Sequence, residues 1–303
     1  MSQALSSKLM PRLLLHPSIG FAALLTLVPF FSAAFCPRSL QLAQRLPLSL
    51  RILAPALLGL PYAIVSASNG LFRWPWLALY TLLPVLISLL LYGASLADPE
   101  QRGEWRDFII LGVLGLAVDL RWFEPAWGPG LAIFNKVLLL DAGIYGFLAI
   151  RQLGQVGFDL RLRLRDFRVG LLWLAAYAPI AVALGLFLGF LHFHPQIPSA
   201  WHVLLGWIFT FLFVAVPEEL FFRGWMQNLL ERRVGRVRAL LITATLFGLS
   251  HFNKRAVHFN WRYVLLALLA GIFYGRAWLQ DRRVGASAIT HASVDTIWSV
   301  WLR

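Results

Sequence analysis

The chain has 303 residues, of which 59% are apolar and 14% charged, with a mean hydropathy of +0.70. A soluble globular protein needs far more polar surface, so composition excludes that class and implies immersion in a bilayer. The formal net charge of +13 does not mark a nucleic-acid binder, because the arginines sit in short segments between apolar runs, as in cytoplasmic loops that meet anionic headgroups.

In chain order, apolar runs near the ~20 residues needed to cross a bilayer fall at about 18–36, 52–69, 74–97, 108–120, 130–150, 169–192, 201–230, 238–257, 262–280 and 285–302. They predict an all-α, polytopic transmembrane helical bundle of about 8–10 spans, with a polar cavity at membrane depth. The first run follows Lys8 and Arg12 and resembles a secretory signal. Its apolar core is longer than a signal's, and Phe35 spoils a small-residue cleavage site, so an uncleaved span is expected. The fourth run is short, ends in Asp119-Leu-Arg121, and could be re-entrant. The single cysteine, Cys36, excludes an internal disulfide and a cysteine-based zinc site.

Polar linkers separate the runs: 98–104, a proline-glycine cluster at 124–130, and the alternating Phe158-Asp-Leu-Arg-Leu-Arg-Leu-Arg-Asp-Phe167. The last is expected along the cytoplasmic face with its arginines among headgroups. The chain divides provisionally into 1–168, of unknown role, and 169–303. Arg161, Arg163, Arg165 and Arg168, then Arg232, Arg233, Arg236 and Arg238, then Arg282 and Arg283 fall on one side, which basic-loop bias assigns to the cytoplasm. Lys254, Arg255 and Arg262 fall on the other and weaken the bias without reversing it.

Ionisable groups inside a span cost a few kcal/mol each and need a reason. The last hundred residues hold Pro217-Glu218-Glu219-Leu-Phe-Phe-Arg223, Phe247-Gly-Leu-Ser-His251, His291-Ala-Ser-Val-Asp295 and an isolated Arg276. Counted from the arginine loops at ~1.5 Å per residue, the two glutamates, two histidines and the aspartate reach similar depth, with Glu218 and His251 about 20 Å from that face. Glu219 and Arg223 are four apart and share a helix face, fit for an ion pair. Glu218 points elsewhere, free for another task. His291 and Asp295 are also four apart, the spacing for a carboxylate orienting an imidazole. Gly224, Gly248 and Gly271 allow close helix approach.

Glu-Glu-x-x-x-Arg, Phe-x-x-x-His and His-x-x-x-Asn/Asp, in that order on separate apolar helices, resemble the CPBP family of CAAX prenyl endopeptidases, bacteriocin-processing proteins and abortive-infection proteins. The resemblance covers about 201–303. It implies a glutamate-dependent intramembrane endopeptidase of a bacterial inner membrane, acting on a membrane-associated peptide or protein without a cofactor. It implies Glu218 as the general base, with His251 sharing the water, Glu219 and Arg223 as a supporting pair beside Phe247, and His291 with residue 295 at the oxyanion. Many members have asparagine where this chain has Asp295. An ionised carboxylate cannot donate to an oxyanion, so Asp295 is expected to hold the His291 tautomer.

Three readings stand in order: the glutamate peptidase, a Zn²⁺-dependent protease using the same residues, and a non-catalytic transport or immunity protein with a midplane polar site. A serine mechanism through Ser250 or Ser287 is less favoured. Arg276 is expected to snorkel. Asp119, Asn135, Lys136 and Asp141 are expected to pair helices or line an outer cavity, and most of the 13 tryptophans to anchor at interfaces. His192, His194 and His258 carry no motif.

Overall fold

The structure, a computed structural model, describes residues 17–194, 198–254 and 258–302. Lys8, Arg12 and Arg255 lie outside them. Every apolar run becomes a helix, and among the described residues there is no strand. With no water to satisfy backbone groups in hydrocarbon, the helix is the form that pairs them within one segment.

The helices are α1 Pro17–Phe35, α2 Pro37–Gln44, α3 Leu48–Ser68, α4 Trp74–Ala97, α5 Trp105–Asp119, α6 Ile133–Ile150, α7 Leu164–Phe187, α8 Ala200–Val234, α9 Arg236–Leu249, α10 Trp261–Asp281 and α11 Val284–Trp301. Among the described residues seven of them, α1, α3, α4, α6, α7, α8 and α10, are long and apolar enough to span a bilayer. The other three expected spans are helices of 15, 14 and 18 residues (α5, α9 and α11). The expected span 238–257 stops early, at Leu249, because the Ser250 hydroxyl turns back to the Phe247 carbonyl at 2.8 Å. That bond competes with helix continuation, and it leaves His251 in the turn that follows.

The chain falls into two compact units, Met1–Gly154 and Gln155–Arg303. In the first unit, Tyr62, Tyr80, Trp127 and Phe134 pack as an aromatic cluster; the Trp127 indole donates to the Tyr80 hydroxyl at 2.7 Å, and that hydroxyl donates to Asn135 at 3.0 Å. Asn135 therefore pairs helices as expected. Asp141 does not: it is buried, and among the described residues neither of its carboxylate oxygens has a hydrogen-bond partner. Lys136 is exposed. Buried Arg151 holds this unit's polar end, donating to Asp107 at 2.9 Å and to Asp98 at 2.7 Å.

In the second unit the division comes earlier than residue 168, because the stretch 155–163 docks on the C-terminal helices. Buried Trp278 donates to the Val156 carbonyl at 3.1 Å, and Val284 N–H to that of Gly157 at 3.0 Å. The arginines expected among headgroups are partly engaged by protein: Arg161 pairs Asp159 at 2.9 Å, and Arg165 donates to Asp281 at 2.7 Å. Arg283 donates to Asp166 at 2.6 Å, and Arg282 to Glu231 at 2.6 Å. These pairs gather the three arginine segments at one end of the unit. Exposed Arg276 lies over the Trp173 ring, its Cζ 5.5 Å from the centroid. Trp225 and Trp278 are fully buried instead of interfacial.

Helices α9 and α10 meet closely through glycine. A Cβ on Gly271 would lie 2.9 Å from Ala244 Cα, and one on Gly248 2.7 Å from the Val264 carbonyl oxygen. α8 is 35 residues long and opens twice into wider π-type turns, at Phe211–Ala215 and Leu220–Gln227. Pro217 lacks the N–H an α-helical ladder needs there, and such wide turns recur at functional sites. Between them stand Glu218 and Glu219.

Candidate active site

The three motifs converge in the second unit, and His291 is their centre. From α11 its Nδ1 lies 2.9 Å from Glu219 Oε1 on α8. Its Nε2 lies 3.5 Å from Asp295 Oδ2, one helical turn on, and 3.9 Å from Glu218 Oε2. Adjacent positions on one helix thus send two carboxylates to opposite nitrogens of one ring.

Glu219 is completely buried and has a second partner, Arg223 Nε at 3.1 Å. The guanidinium also donates to the Gly271 carbonyl at 3.2 Å, and its Cζ stands 4.6 Å from the Phe247 ring centre. The expected Glu219–Arg223 pair is present, and it does more than expected, since the same carboxylate holds His291. Glu219 is the partner at Nδ1 and Asp295 stands at Nε2, so carboxylates from two helices flank the His291 ring. Glu218 differs from its neighbour: its side chain is 28% exposed against 0% for Glu219. It is free of the structural pair, as the one-residue offset predicts.

His251 reaches the group across Phe247, whose ring centre lies 5.0 Å from that of His251 and 5.7 Å from that of His291. The His251 Nδ1 is 2.8 Å from the Phe247 carbonyl oxygen. A carbonyl only accepts, so Nδ1 carries the proton and the neutral ring keeps its lone pair on Nε2. That nitrogen can accept a proton from water. Ser250 and Ser287 donate to the carbonyls of Phe247 and Val284, at 2.8 and 3.1 Å; Ser250 Oγ also lies 3.2 Å from His251 Nδ1, but that nitrogen already gives its proton to the Phe247 carbonyl and is no base toward the serine.

His251, His291 and Asp295 open on one pocket of about 680 Å³ including its open mouth, walled by side chains of α7, α10 and α11, by Phe247 of α9 and by the stretch after α7. Its walls are mostly aliphatic and aromatic, including Tyr177, Phe190, Tyr263, Tyr274 and Trp298. An apolar pocket with a few convergent polar groups at one place is the usual form of a small-ligand or substrate site. The sequence offered no sign of Tyr274, whose ring stacks on His291 with centroids 4.7 Å apart and 20° between planes. A tyrosine in an apolar helix otherwise reads as an interfacial anchor. Among the described residues no group of three or more His, Cys, Asp or Glu side chains is disposed to hold a metal ion.

Residues 198–297 match the family model of Rce1-like type II CAAX prenyl endopeptidases. The matched stretch contains all three motifs, which bears out the resemblance drawn from them. No curated protein and no solved structure matches the chain.

Proposed function

We propose that this protein is an intramembrane endopeptidase that hydrolyses a peptide bond in a membrane-associated peptide or protein, using water activated by Glu218 and His251. We place it in a bacterial inner membrane with its arginine-rich end in the cytoplasm. The observation that carries this reading is the convergence on His291 of Glu218, Glu219 and Asp295 within 3.9 Å, beside an apolar pocket. Packing needs one ion pair, and Glu219–Arg223 supplies it; Glu218 and the two histidines exceed that requirement.

In this reading Glu218 takes a proton from water whose oxygen attacks the scissile carbonyl, with His251 Nε2 holding the same water. His291 Nε2, when protonated, faces the developing oxyanion, where preorganised donors supply the largest stabilisation. As the C–N bond breaks, the proton held by Glu218 passes to the leaving amine, and the carboxylate is restored.

The test is cleavage of candidate membrane substrates in native membranes by the wild type and by Glu218→Gln, with and without chelator. Cleavage lost in a well-folded variant and kept under chelation is the expected result. Loss under chelation turns the site over to Zn²⁺. A Glu218→Gln protein that cleaves like the wild type defeats the assignment, and a wild type that cleaves nothing favours a binding or immunity protein.

A further inference from the structure

A peptide carbonyl under attack develops charge on oxygen, and one imidazole donor is rarely its whole support. Besides His291, the pocket's side-chain donors are Tyr177, Tyr263, Tyr274, Trp298 and His251, and Tyr263 and Trp298 are engaged elsewhere. Asp295, 3.5 Å from His291 Nε2, is a carboxylate and accepts when ionised. The Tyr177 hydroxyl is spent on the Leu266 carbonyl at 2.8 Å. His251 Nδ1 is spent on the Phe247 carbonyl at 2.8 Å.

Tyr274 is different. It lines the pocket, and among the described residues its hydroxyl enters no hydrogen bond. Its ring is gripped on several sides: stacked on His291, edge-on to Phe247 at 5.9 Å and to Tyr177 at 6.2 Å, with Arg223 Cζ 5.6 Å from its centre. A phenol held this firmly needs no rearrangement to act, which is the condition for electrostatic catalysis. Tyrosine in an apolar site is a proven type of oxyanion donor.

We propose that the Tyr274 hydroxyl donates to the oxyanion beside His291, supplying the hydrogen bond that a carboxylate at position 295 cannot. The proposal rests on the peptidase reading above.

The experiment compares kcat and KM of the wild type, Glu218→Gln, Tyr274→Phe and Tyr274→Phe with Asp295→Asn, together with their melting in detergent. Tyr274→Phe keeps the stacked ring and removes only the donor. The expected result is a fall in kcat of roughly 10²–10³-fold, with KM and melting temperature little changed. Partial recovery is expected on adding Asp295→Asn, whose amide can donate. A Tyr274→Phe protein with wild-type kcat overturns the proposal alone, as does a loss seen only in KM or explained by a lowered melting temperature. If the double variant recovers nothing, Tyr274 is not standing in for a donor at 295. Full activity in Glu218→Gln, or none in the wild type, overturns the peptidase reading and this inference with it.

Discussion

Glu219 Oε1 and His291 Nδ1 lie 2.9 Å apart although 72 residues separate them in the chain. The same carboxylate faces Arg223 Nε at 3.1 Å, so one fully buried group ties the arginine of α8 to the histidine of α11.

Glu219→Gln is therefore expected to cost both fold and rate. Removing one partner of a buried ion pair typically destabilises by about 3–5 kcal/mol, and the His291 ring loses its anchor. Melting in detergent reads the first effect and peptide cleavage the second. A variant that melts and cleaves like the wild type would show that the bridge is ornamental.

Glu218→Gln separates the two effects. Its side chain is 28% exposed and stands outside the Arg223 pair, so melting should change little. On the proposed mechanism the variant loses its general base, worth roughly 10²–10⁴-fold in rate. Measured side by side, the two glutamine variants should differ in stability more than in activity.

Phe247 touches Arg223, His251 and His291 at once. Phe247→Ala should destabilise by about 3–5 kcal/mol, the range for an aromatic removed from a packed core. Phe247→Leu should recover much of the stability and less of the cleavage rate, because a flexible aliphatic side chain cannot register two imidazoles. Equal recovery of both would argue that the ring only fills space.

Gly248→Ala tests the approach of α9 to α10. The added methyl would meet the Val264 carbonyl oxygen at 2.7 Å, and a backbone atom cannot step aside as a side chain can. A loss of about 1–3 kcal/mol is expected, the range for overpacking, read as a lowered melting temperature. No loss would mean the helices part at little cost.

Outside the bilayer, Asp159 gives a pH dependence. The Arg161 guanidinium bonds its carboxyl and, with the Arg161 backbone N–H and against partial burial, holds it at about 2, below the ordinary 3.8. A depressed carboxyl contributes stability that is present above its unfolded value and lost as pH falls through its folded one. The docked 155–163 stretch should thus loosen between about pH 4 and pH 2. Melting against pH for the wild type and Asp159→Asn checks it: the variant's curve should be flatter there.

Much of this was legible in the sequence, since hydrocarbon leaves the backbone few options and apolar runs of span length become helices. The i, i+4 rule likewise gave Glu219 with Arg223 and His291 with Asp295, and depth counting brought the motifs to one level. Contacts between helices were not legible in this way. The spacing pointed to Asp295 as the holder of His291, whereas the Nδ1 partner came from another helix. His251 was read as helical because nothing in composition signals that Ser250 will bond back to Phe247. That Trp278 departs from the general anchoring role of tryptophans is invisible in the sequence, because its buried partner, the Val156 carbonyl, lies 122 residues away.

The helix that carries the glutamates has 35 residues, and at ~1.5 Å each it is roughly 50 Å long. The hydrocarbon of a bilayer is about 30 Å thick. Ordinary tilt does not absorb that mismatch, so the ends of α8 must stand in the headgroups, with Trp201 at one and Arg232 and Arg233 at the other. On the peptidase reading, the lipid then becomes a variable of catalysis. A membrane of shorter or longer acyl chains resets the tilt of α8, and with it the depth at which Glu218 meets its water, so turnover in reconstituted vesicles should track chain length.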